Sequence, residues 1–240
     1  DKKFQNNNNI QYVKMDPSSV TSIGQYSFLG CSSLKSVEIP SSVTTIEVCA
    51  FQDCTSLKQI IIPSSVTSIQ NSAFYRCTNL SYISLPSSIT AIEVCTFEKC
   101  ESLTEIIIPS SVTSIKWKAF YGCKSLTHIE IPSSVTLISD EAFRECIALK
   151  KVDIPSSVKS ISHNSFEGCT SLNREFNNEA IMQLINQSQR KNTINDPEAE
   201  ARYLYYRSIR AMIWRALLDN RIIIVANMKE KDEKKKEKKK

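Results

Sequence analysis

Nine cysteines are the residues of this sequence whose type and spacing most resemble a reactive or metal-binding set. Seven of them recur at intervals of 23 residues, and none forms a C-x-x-C pair. An odd number of thiols cannot pair completely into disulfides, and ligands stacked on parallel coils do not converge on a tetrahedral metal ion. We therefore predict no metal or cofactor site but a column of small, buried, reduced thiols at Cys31, Cys54, Cys77, Cys100, Cys123, Cys146 and Cys169.

The other potentially reactive side chains do not form a catalytic set. Cys49 and Cys95 lie outside the cysteine column, and we expect them to be the more exposed thiols. His128 falls on an outward strand position and His163 on a loop, and neither is placed beside a nucleophile with an orienting acid. Phosphate-loop, dinucleotide-binding and metalloprotease motifs are missing from the sequence. The chain is therefore predicted not to be an enzyme.

The cysteine spacing belongs to a repeat of 23 residues that runs through most of the chain. Each copy opens with a Pro-Ser-Ser-Val or Pro-Ser-Ser-Ile tetrad, which we interpret as a turn. Seven copies without slippage predict a solenoid, in which each coil buries the apolar face of its neighbour. The seven copies begin at Pro17, Pro40, Pro63, Pro86, Pro109, Pro132 and Pro155.

The second copy shows how one repeat is divided. Val37 and Ile39 alternate with polar Ser36 and Glu38, which predicts a strand with one buried face. Pro40 ends this strand because proline lacks the N–H group that a sheet ladder needs.

The spacing of apolar residues then changes. Ile46, Ala50, Cys54 and Leu57 follow one another at steps of four, four and three residues, with Phe51 as the large filler. This spacing predicts a short second extended piece followed by one or two turns of α or 3₁₀ helix.

The pattern L-x-x-I-x-I followed by P-S-S-V-x-x-I-x-x-x-A-F-x-x-C-x-x-L resembles the BspA-like leucine-rich repeats, a family of bacterial and protozoan surface antigens. The resemblance covers about residues 10–176. The predicted fold is a leucine-rich-repeat solenoid, a right-handed β/α superhelix with a parallel sheet on its concave face and short helices or 3₁₀ turns on its convex face. The resemblance also implies a cell-surface or secreted role in adhesion and recognition. An intracellular, cytoplasmic scaffold for protein–protein interaction is the alternative.

The chain divides into four segments. Residues 1–9 form a polar N-terminal tail, in which we expect Asn6–Asn9 to be disordered, and residues 10–176 form the solenoid. Residues 177–220 are predicted to be helical, either capping the last repeat or docking a partner. Residues 221–240 form a Lys-rich tail. Neither a signal peptide nor a membrane span is visible in the sequence.

Net charge is concentrated in that tail. The formal charge of the chain is +5, of which residues 229–240, with 8 Lys and 4 acidic residues, carry +4. The rest carries +1 (5 − 4), so we expect no nucleic-acid binding by the solenoid. For the Lys-rich tail, the only partner contact that we predict is a weak electrostatic one with acidic surfaces.

The outward strand positions are the candidate binding site, because the inward positions are committed to packing. Ile61, Tyr82 and Ile107 are apolar side chains at positions that should face water. An apolar centre with a polar rim is the usual anatomy of a protein interface. The alternative explanation is that β-branched and aromatic residues have a high intrinsic propensity for strands. We expect a monomer that binds a protein or an extracellular-matrix or cell-surface macromolecule through the concave face. The further partner-binding candidates on the concave face are Gln59, Glu105, His128 and Glu130, and the secondary candidates on the loop side are Trp117 and Tyr121.

Overall fold

The computed structural model of the chain describes residues 4–162 and 164–172. All of them belong to the first of two compact units, residues 1–191. They form a parallel-strand solenoid whose coils follow the 23-residue repeat. In this part of the chain, no helix has the length and hydropathy needed to cross a membrane.

A first stack of three-residue strands carries the alternation seen in the sequence, with the middle residue turned inward in every strand. The strands are β1 (Tyr12–Lys14), β3 (Ser36–Glu38), β5 (Gln59–Ile61), β7 (Tyr82–Ser84), β10 (His128–Glu130) and β12 (Lys151–Asp153). They pair two by two in parallel: β1 with β3, β5 with β7, and β10 with β12. Residues 105–107 keep the same alternation, with Ile106 buried between exposed neighbours, but form no ladder. The expected continuous sheet is therefore divided into pairs.

A second stack of two-residue strands follows each Pro-Ser-Ser tetrad. Its strands form one three-stranded and one four-stranded parallel sheet, with partners 23 residues apart, as in Ile23 beside Ile46. The strands are β2 (Ser22–Ile23), β4 (Thr45–Ile46), β6 (Ser68–Ile69), β8 (Ala91–Ile92), β9 (Ser114–Ile115), β11 (Leu137–Ile138) and β13 (Ser160–Ile161).

The tetrad itself is a turn that also joins neighbouring coils. Val66 N–H donates to the carbonyl of Pro63 at 3.0 Å, which closes the turn after the strand. The second serine of the tetrad, Ser65, donates its hydroxyl to the carbonyl of Val43 in the preceding coil at 2.7 Å. These serines are therefore occupied in holding the stack together.

The segment after the second stack is not helical, so the prediction of α or 3₁₀ turns on this side is wrong. Its backbone N–H groups alternate between two directions: Phe51 donates to Ala73 of the next coil at 2.8 Å, whereas Gln52 donates to Cys49 three residues back at 3.3 Å. A helix would direct every N–H group within its own segment. We call this region of each repeat, residues 48–56 in the second copy, the turn segment.

Left-handed backbone at two positions per repeat explains why no helix forms. Cys49 and Asp53 have φ angles of 54° and 58°, four residues apart, and each interrupts right-handed helical geometry. The 4-4-3 spacing of buried residues is thus produced by consecutive turns. The left-handed columns are Tyr26, Cys49, Ser72, Cys95, Lys118 and Glu141, and Gly30, Asp53, Arg76, Lys99, Gly122, Glu145 and Gly168.

A ladder of stacked phenylalanine rings forms the centre of the core. Neighbouring rings lie 5.2–5.7 Å apart with interplanar angles of 1–17°. The ladder runs through Phe4, Phe28, Phe51, Phe74, Phe97, Phe120, Phe143 and Phe166.

The cysteine column is buried beside this ladder, as predicted from its spacing. Each thiol donates to the carbonyl of the phenylalanine one coil earlier, as Cys100 does to Phe74 at 3.2 Å. The Phe74 carbonyl oxygen also accepts the N–H group of Cys77, so the Cys100 thiol donates to the second lone pair of that oxygen. The thiols thus link coils as well as fill space.

Cys49 and Cys95 are also buried, with 0% and 1% of their surface exposed, so the prediction that they are exposed thiols is wrong. They occupy the first left-handed column, in which Tyr26 and Ser72 are buried as well. Burial raises the pKa of Cys49 to about 12 and raises that of Cys95 in the same direction.

The first residues of the chain extend the stack. Phe4 stacks on Phe28 with ring centroids 5.3 Å apart, and Asn6 N–H donates to the carbonyl of Leu29 at 2.7 Å. The expectation of disorder over Asn6–Asn9 is wrong, because these hydrogen bonds continue the pattern of the later coils. His163, the predicted helical residues 177–220 and the Lys-rich residues 221–240 lie outside the described residues.

Candidate partner-binding face

The outward side chains of the first strand stack form two parallel columns, which together we call the strand face. Their positions follow from the repeat register, because residues that pair in the ladders lie side by side. One column contains Tyr12, Ser36, Gln59, Tyr82, Glu105, His128 and Lys151, and the other contains Lys14, Glu38, Ile61, Ser84, Ile107, Glu130 and Asp153.

Three large apolar side chains in the middle of the strand face are exposed, as their sequence positions predict. Ile61 is 69% exposed, Tyr82 is 48% exposed and Ile107 is 85% exposed. We call these three residues the central patch. Most large apolar side chains of the described residues are buried, so this exposure does not come from incomplete packing of the core.

The central patch surrounds one small residue. Ile61 pairs directly with Ser84 in the neighbouring strand, and Ile107 occupies the same repeat position one coil further on. Coils spaced at roughly 4.8 Å put the two isoleucines about 10 Å apart, and Tyr82 lies about 7 Å along its strand from Ser84. These three apolar side chains form a triangle next to half-buried Ser84. The area of this triangle is large enough to contact a few side chains of a partner.

The rim of the strand face is charged, and its carboxylates differ in their pairing. Glu38 is held by Lys14 at 3.1 Å, and Asp153 is held by Lys151 at 2.7 Å. Within residues 4–162 and 164–172, the exposed carboxylates of Glu105 and Glu130 form no ion pair or hydrogen bond. The free carboxylates are the two that lie next to Ile107.

Trp117 and Tyr121, the secondary candidates, lie in the turn segment and are engaged with their own coil and the next. The ammonium group of Lys118 lies 4.7 Å from the Trp117 ring and 4.9 Å from the Tyr121 ring. The Tyr121 hydroxyl donates to Glu145 Oε1 at 2.9 Å, and burial raises its pKa to about 12. Both residues are half-buried, so they offer less free surface than the central patch.

A buried carboxyl group, that of Glu98, lies in the turn segment one coil before this aromatic pair. Glu98 is 2% exposed and its Oε2 atom has no hydrogen-bond partner, while the thiol of Cys95 lies against the same carboxyl group. Burial raises the pKa of the Glu98 carboxyl from its ordinary 4.5. The same burial raises the pKa of Cys95, which makes its thiol a poor nucleophile rather than an activated one.

The described residues form no metal centre. No three His, Cys, Asp or Glu side chains of this part of the chain converge as metal ligands. A cavity of about 340 Å³ lies at the N-terminal end of the stack, where Phe4, Val13 and Phe28 line it with charged Lys14 and Asp16 at its edge.

Tyr12 is an exposed aromatic residue that the sequence analysis missed. It is 70% exposed at the first position of the strand face, and the Lys35 ammonium group lies 6.0 Å from its ring. Tyr12 pairs with Ser36 at a spacing of 24 residues rather than 23, because the first coil has one extra residue before Pro17. Allowing for this insertion would have placed Tyr12 in the column.

A sequence profile of the BspA-type leucine-rich repeat region, in six copies, matches residues 1–116 and 92–195 of the chain. The chain belongs to the BspA-type leucine-rich repeat family. This membership confirms the resemblance seen in the repeat pattern. The comparison with curated proteins gives no match.

Solved structures of bacterial leucine-rich repeat proteins share the fold. A leucine-rich repeat protein from Bacteroides ovatus is 27% identical, with a TM-score of 0.54, and the match covers 70% of this chain and 55% of that one. The T. pallidum leucine-rich repeat protein is 39% identical, with a TM-score of 0.53, over 54% of this chain and 61% of its own. A protein from Eubacterium ventriosum is 27% identical, with a TM-score of 0.63, over 68% and 44% of the two chains. This chain therefore spans about half the length of the structures that it matches.

Proposed function

We propose that the chain is a non-catalytic recognition or adhesion module that binds a macromolecular partner through the strand face. The exposure of the central patch carries this proposal: Ile61, Tyr82 and Ile107 lie side by side in water although the packing of the solenoid does not need them there. Exposed apolar groups of this kind gain free energy when a partner removes them from water.

The arrangement has the usual features of a protein interface. A tyrosine and two isoleucines provide the apolar centre, while charged side chains such as Glu105 and Glu130 provide the rim. Interfaces commonly derive most of their affinity from a few central anchors of this type. Leucine-rich repeat proteins generally serve as interaction or adhesion modules, which agrees with this reading of the site.

Location at the cell surface or outside the cell is part of the proposal, and the family resemblance supports it. In the sequon Asn79-Leu80-Ser81, Asn79 is exposed in a turn and Ser81 is exposed, whereas Leu80 between them is buried. Labelling of intact cells with a membrane-impermeant amine reagent tests the location. Labelled chain from intact cells supports it, whereas labelling only after lysis favours the cytoplasmic scaffold.

Site-specific photo-cross-linking tests the proposed face. The full chain, carrying a benzophenone side chain in place of Ile107, is mixed with a random peptide library displayed on phage and irradiated. We expect cross-linked phage to be enriched, because the side chain replaced is 85% exposed at the centre of the proposed interface.

Ile147 provides the matched control. It is also an exposed isoleucine, 44% accessible, but it lies in a turn rather than on the strand face. Equal enrichment at positions 107 and 147 would show that any exposed apolar group traps peptides, and the proposed function would then fail.

A further inference from the structure

We infer that the partner segment bound by the strand face is a polypeptide with apolar side chains on the central patch and a Lys or Arg side chain seated between Glu105 and Glu130. This inference rests on the proposed function and adds the chemistry of the occupant. It predicts an extended or helical peptide in which a cationic residue lies next to the residue that covers Ile107.

The pairing of the carboxylates on the strand face carries the inference. Four carboxylates occur on this face, and those of Glu38 and Asp153 are neutralised by lysines of the chain itself, at 3.1 and 2.7 Å. Glu105 and Glu130 have no such partner among the described residues. The free negative charge of the face is therefore confined to one end of the central patch.

The geometry lets one cation reach both free carboxylates. Glu130 occupies the same column as Ile107 one coil later, and Glu105 lies two residues before Ile107 on the same face. With strand spacing of roughly 4.8 Å and about 7 Å along the strand, the Cα atoms of the two residues lie about 8 Å apart across a diagonal, a separation that their flexible side chains can narrow. An ammonium or guanidinium group placed between the two side chains can then contact both carboxylates, and the planar guanidinium can donate to each.

The same charges argue against other occupants. A polyanion such as a nucleic acid or a sulfated glycan would place negative groups against Glu105 and Glu130, which is unfavourable next to an apolar surface that lowers the local dielectric. A metal ion is not favoured either, because the described residues bring no third ligand to this pair. A polypeptide supplies both the apolar and the cationic group within a few residues.

The test selects peptides from a random phage-displayed library on the full chain and measures the affinity of synthetic copies of the enriched sequences. We expect the enriched peptides to carry Lys or Arg beside apolar residues. Glu105→Gln with Glu130→Gln should weaken them about tenfold, and added salt should reduce the affinity for the unchanged chain more than for this variant.

Glu38→Gln with Asp153→Asn is the matched control, because these carboxylates lie on the same face but are already ion-paired. The peptide affinity of this variant should stay within about twofold of that of the unchanged chain, since both carboxylates are already neutralised by lysines of the chain and offer a bound cation no free charge. Thermal melts of both variants, which alter only exposed side chains, confirm that each is folded.

The outcomes separate the two proposals. Peptides that need Tyr82 and Ile107 but carry no Lys or Arg, or that bind the Glu105 and Glu130 variant unchanged, overturn this inference and leave the proposed function standing. Peptides whose affinity is unchanged by substitutions in both the central patch and the two carboxylates overturn the proposed function as well. Sedimentation that shows a dimer, lost in Tyr82→Ala with Ile107→Ser, would make a second copy of the chain the occupant and overturn the inference.

Discussion

The column cysteines are hydrogen-bond donors inside the core, and this role sets their reactivity. Desolvation raises the pKa of column thiols such as Cys77 and Cys100 well above the ordinary value of 9.0, so the thiolate that reacts with electrophiles is scarce in the folded chain. The regular spacing of these residues was sufficient to predict burial. It could not reveal the carbonyl acceptor, because that depends on how consecutive coils are offset.

We predict that a thiol reagent added to the native chain reacts slowly with all nine cysteines, including Cys49 and Cys95. Cys169 should react first, since it is the most accessible of the nine at 9% exposure. Denaturation should release nine thiols, and Ser110→Cys, at an exposed turn, gives the rate expected of an open thiol. Rapid native labelling at Cys49 or Cys95, mapped by peptide mass, would contradict the buried left-handed column.

Buried Glu98 makes the free energy of unfolding depend on pH, an effect that could not be predicted from its sequence position. Burial raises the pKa of its carboxyl above 4.5, so the folded chain binds the proton more tightly than the unfolded chain does. The contribution of Glu98 to the free energy of unfolding is therefore greatest at low pH. It falls as pH rises from about the unfolded value toward the folded value and is constant above that.

We predict that Glu98→Gln stabilises the chain at pH 7 by about 1–2 kcal/mol, because it removes a buried charge whose Oε2 atom has no partner. It should also flatten the decline of stability above pH 4.5. Urea unfolding between pH 4 and 8 measures both effects. Glu101→Gln, where the side chain is 41% exposed, should change stability by less than about 0.5 kcal/mol at every pH, and an equal effect of the two changes would refute the assignment to burial.

At the scale of elements, the strands were predictable and the turn segments were not. The alternation of Val37 with its polar neighbours indicates a strand directly, since residues two apart share a face of the backbone. The steps between Ile46, Ala50 and Cys54 match helical spacing but arise from consecutive turns with left-handed residues. Only glycines such as Gly122 mark these positions in the sequence, and several coils place Lys, Arg, Asp or Glu there instead.

We predict opposite effects for two substitutions in the second left-handed column. Gly122→Ala should destabilise the chain by about 1 kcal/mol, because an alanine resists positive φ. A Cβ at position 122 would meet Lys99 Cγ at an ordinary 3.5 Å, so only the backbone, with φ of 68°, is strained.

Lys99→Gly, at the equivalent position with φ of 59°, should stabilise by about 0.5–1 kcal/mol. Lys99→Ala serves as its control, since it removes the same side chain without relieving the strain. Thermal unfolding of the three variants decides the matter, and equal melting temperatures for Lys99→Gly and Lys99→Ala would show that the left-handed backbone is not costly here.

At the scale of the whole molecule, the solenoid is held by ladders, which leaves one face free to vary. Phenylalanine rings, cysteine thiols and tetrad serines all connect consecutive coils through positions that repeat. The strand face is excluded from this network, so its residues differ from coil to coil. The sequence was therefore enough to locate the face and its central patch, but the ion pairing that distinguishes Glu105 and Glu130 depended on side-chain geometry.

The central claim is that the patch serves binding and not folding. We predict that Tyr82→Ala with Ile107→Ser changes the free energy of unfolding by less than about 1 kcal/mol, because both side chains are exposed. The same double change should weaken binding by about 2 kcal/mol or more, about 30-fold, as expected for interface anchors.

The decisive measurement is a calorimetric titration of the unchanged chain and of this variant with the peptides selected on the full chain, paired with urea unfolding of both proteins. Ile147→Ser, a change of an exposed isoleucine away from the strand face, should leave affinity and stability within experimental scatter of the unchanged chain. A large loss of affinity with intact stability is the result that the account predicts. Unchanged affinity in a folded variant would contradict it, and so would a loss of stability large enough to explain the loss of binding.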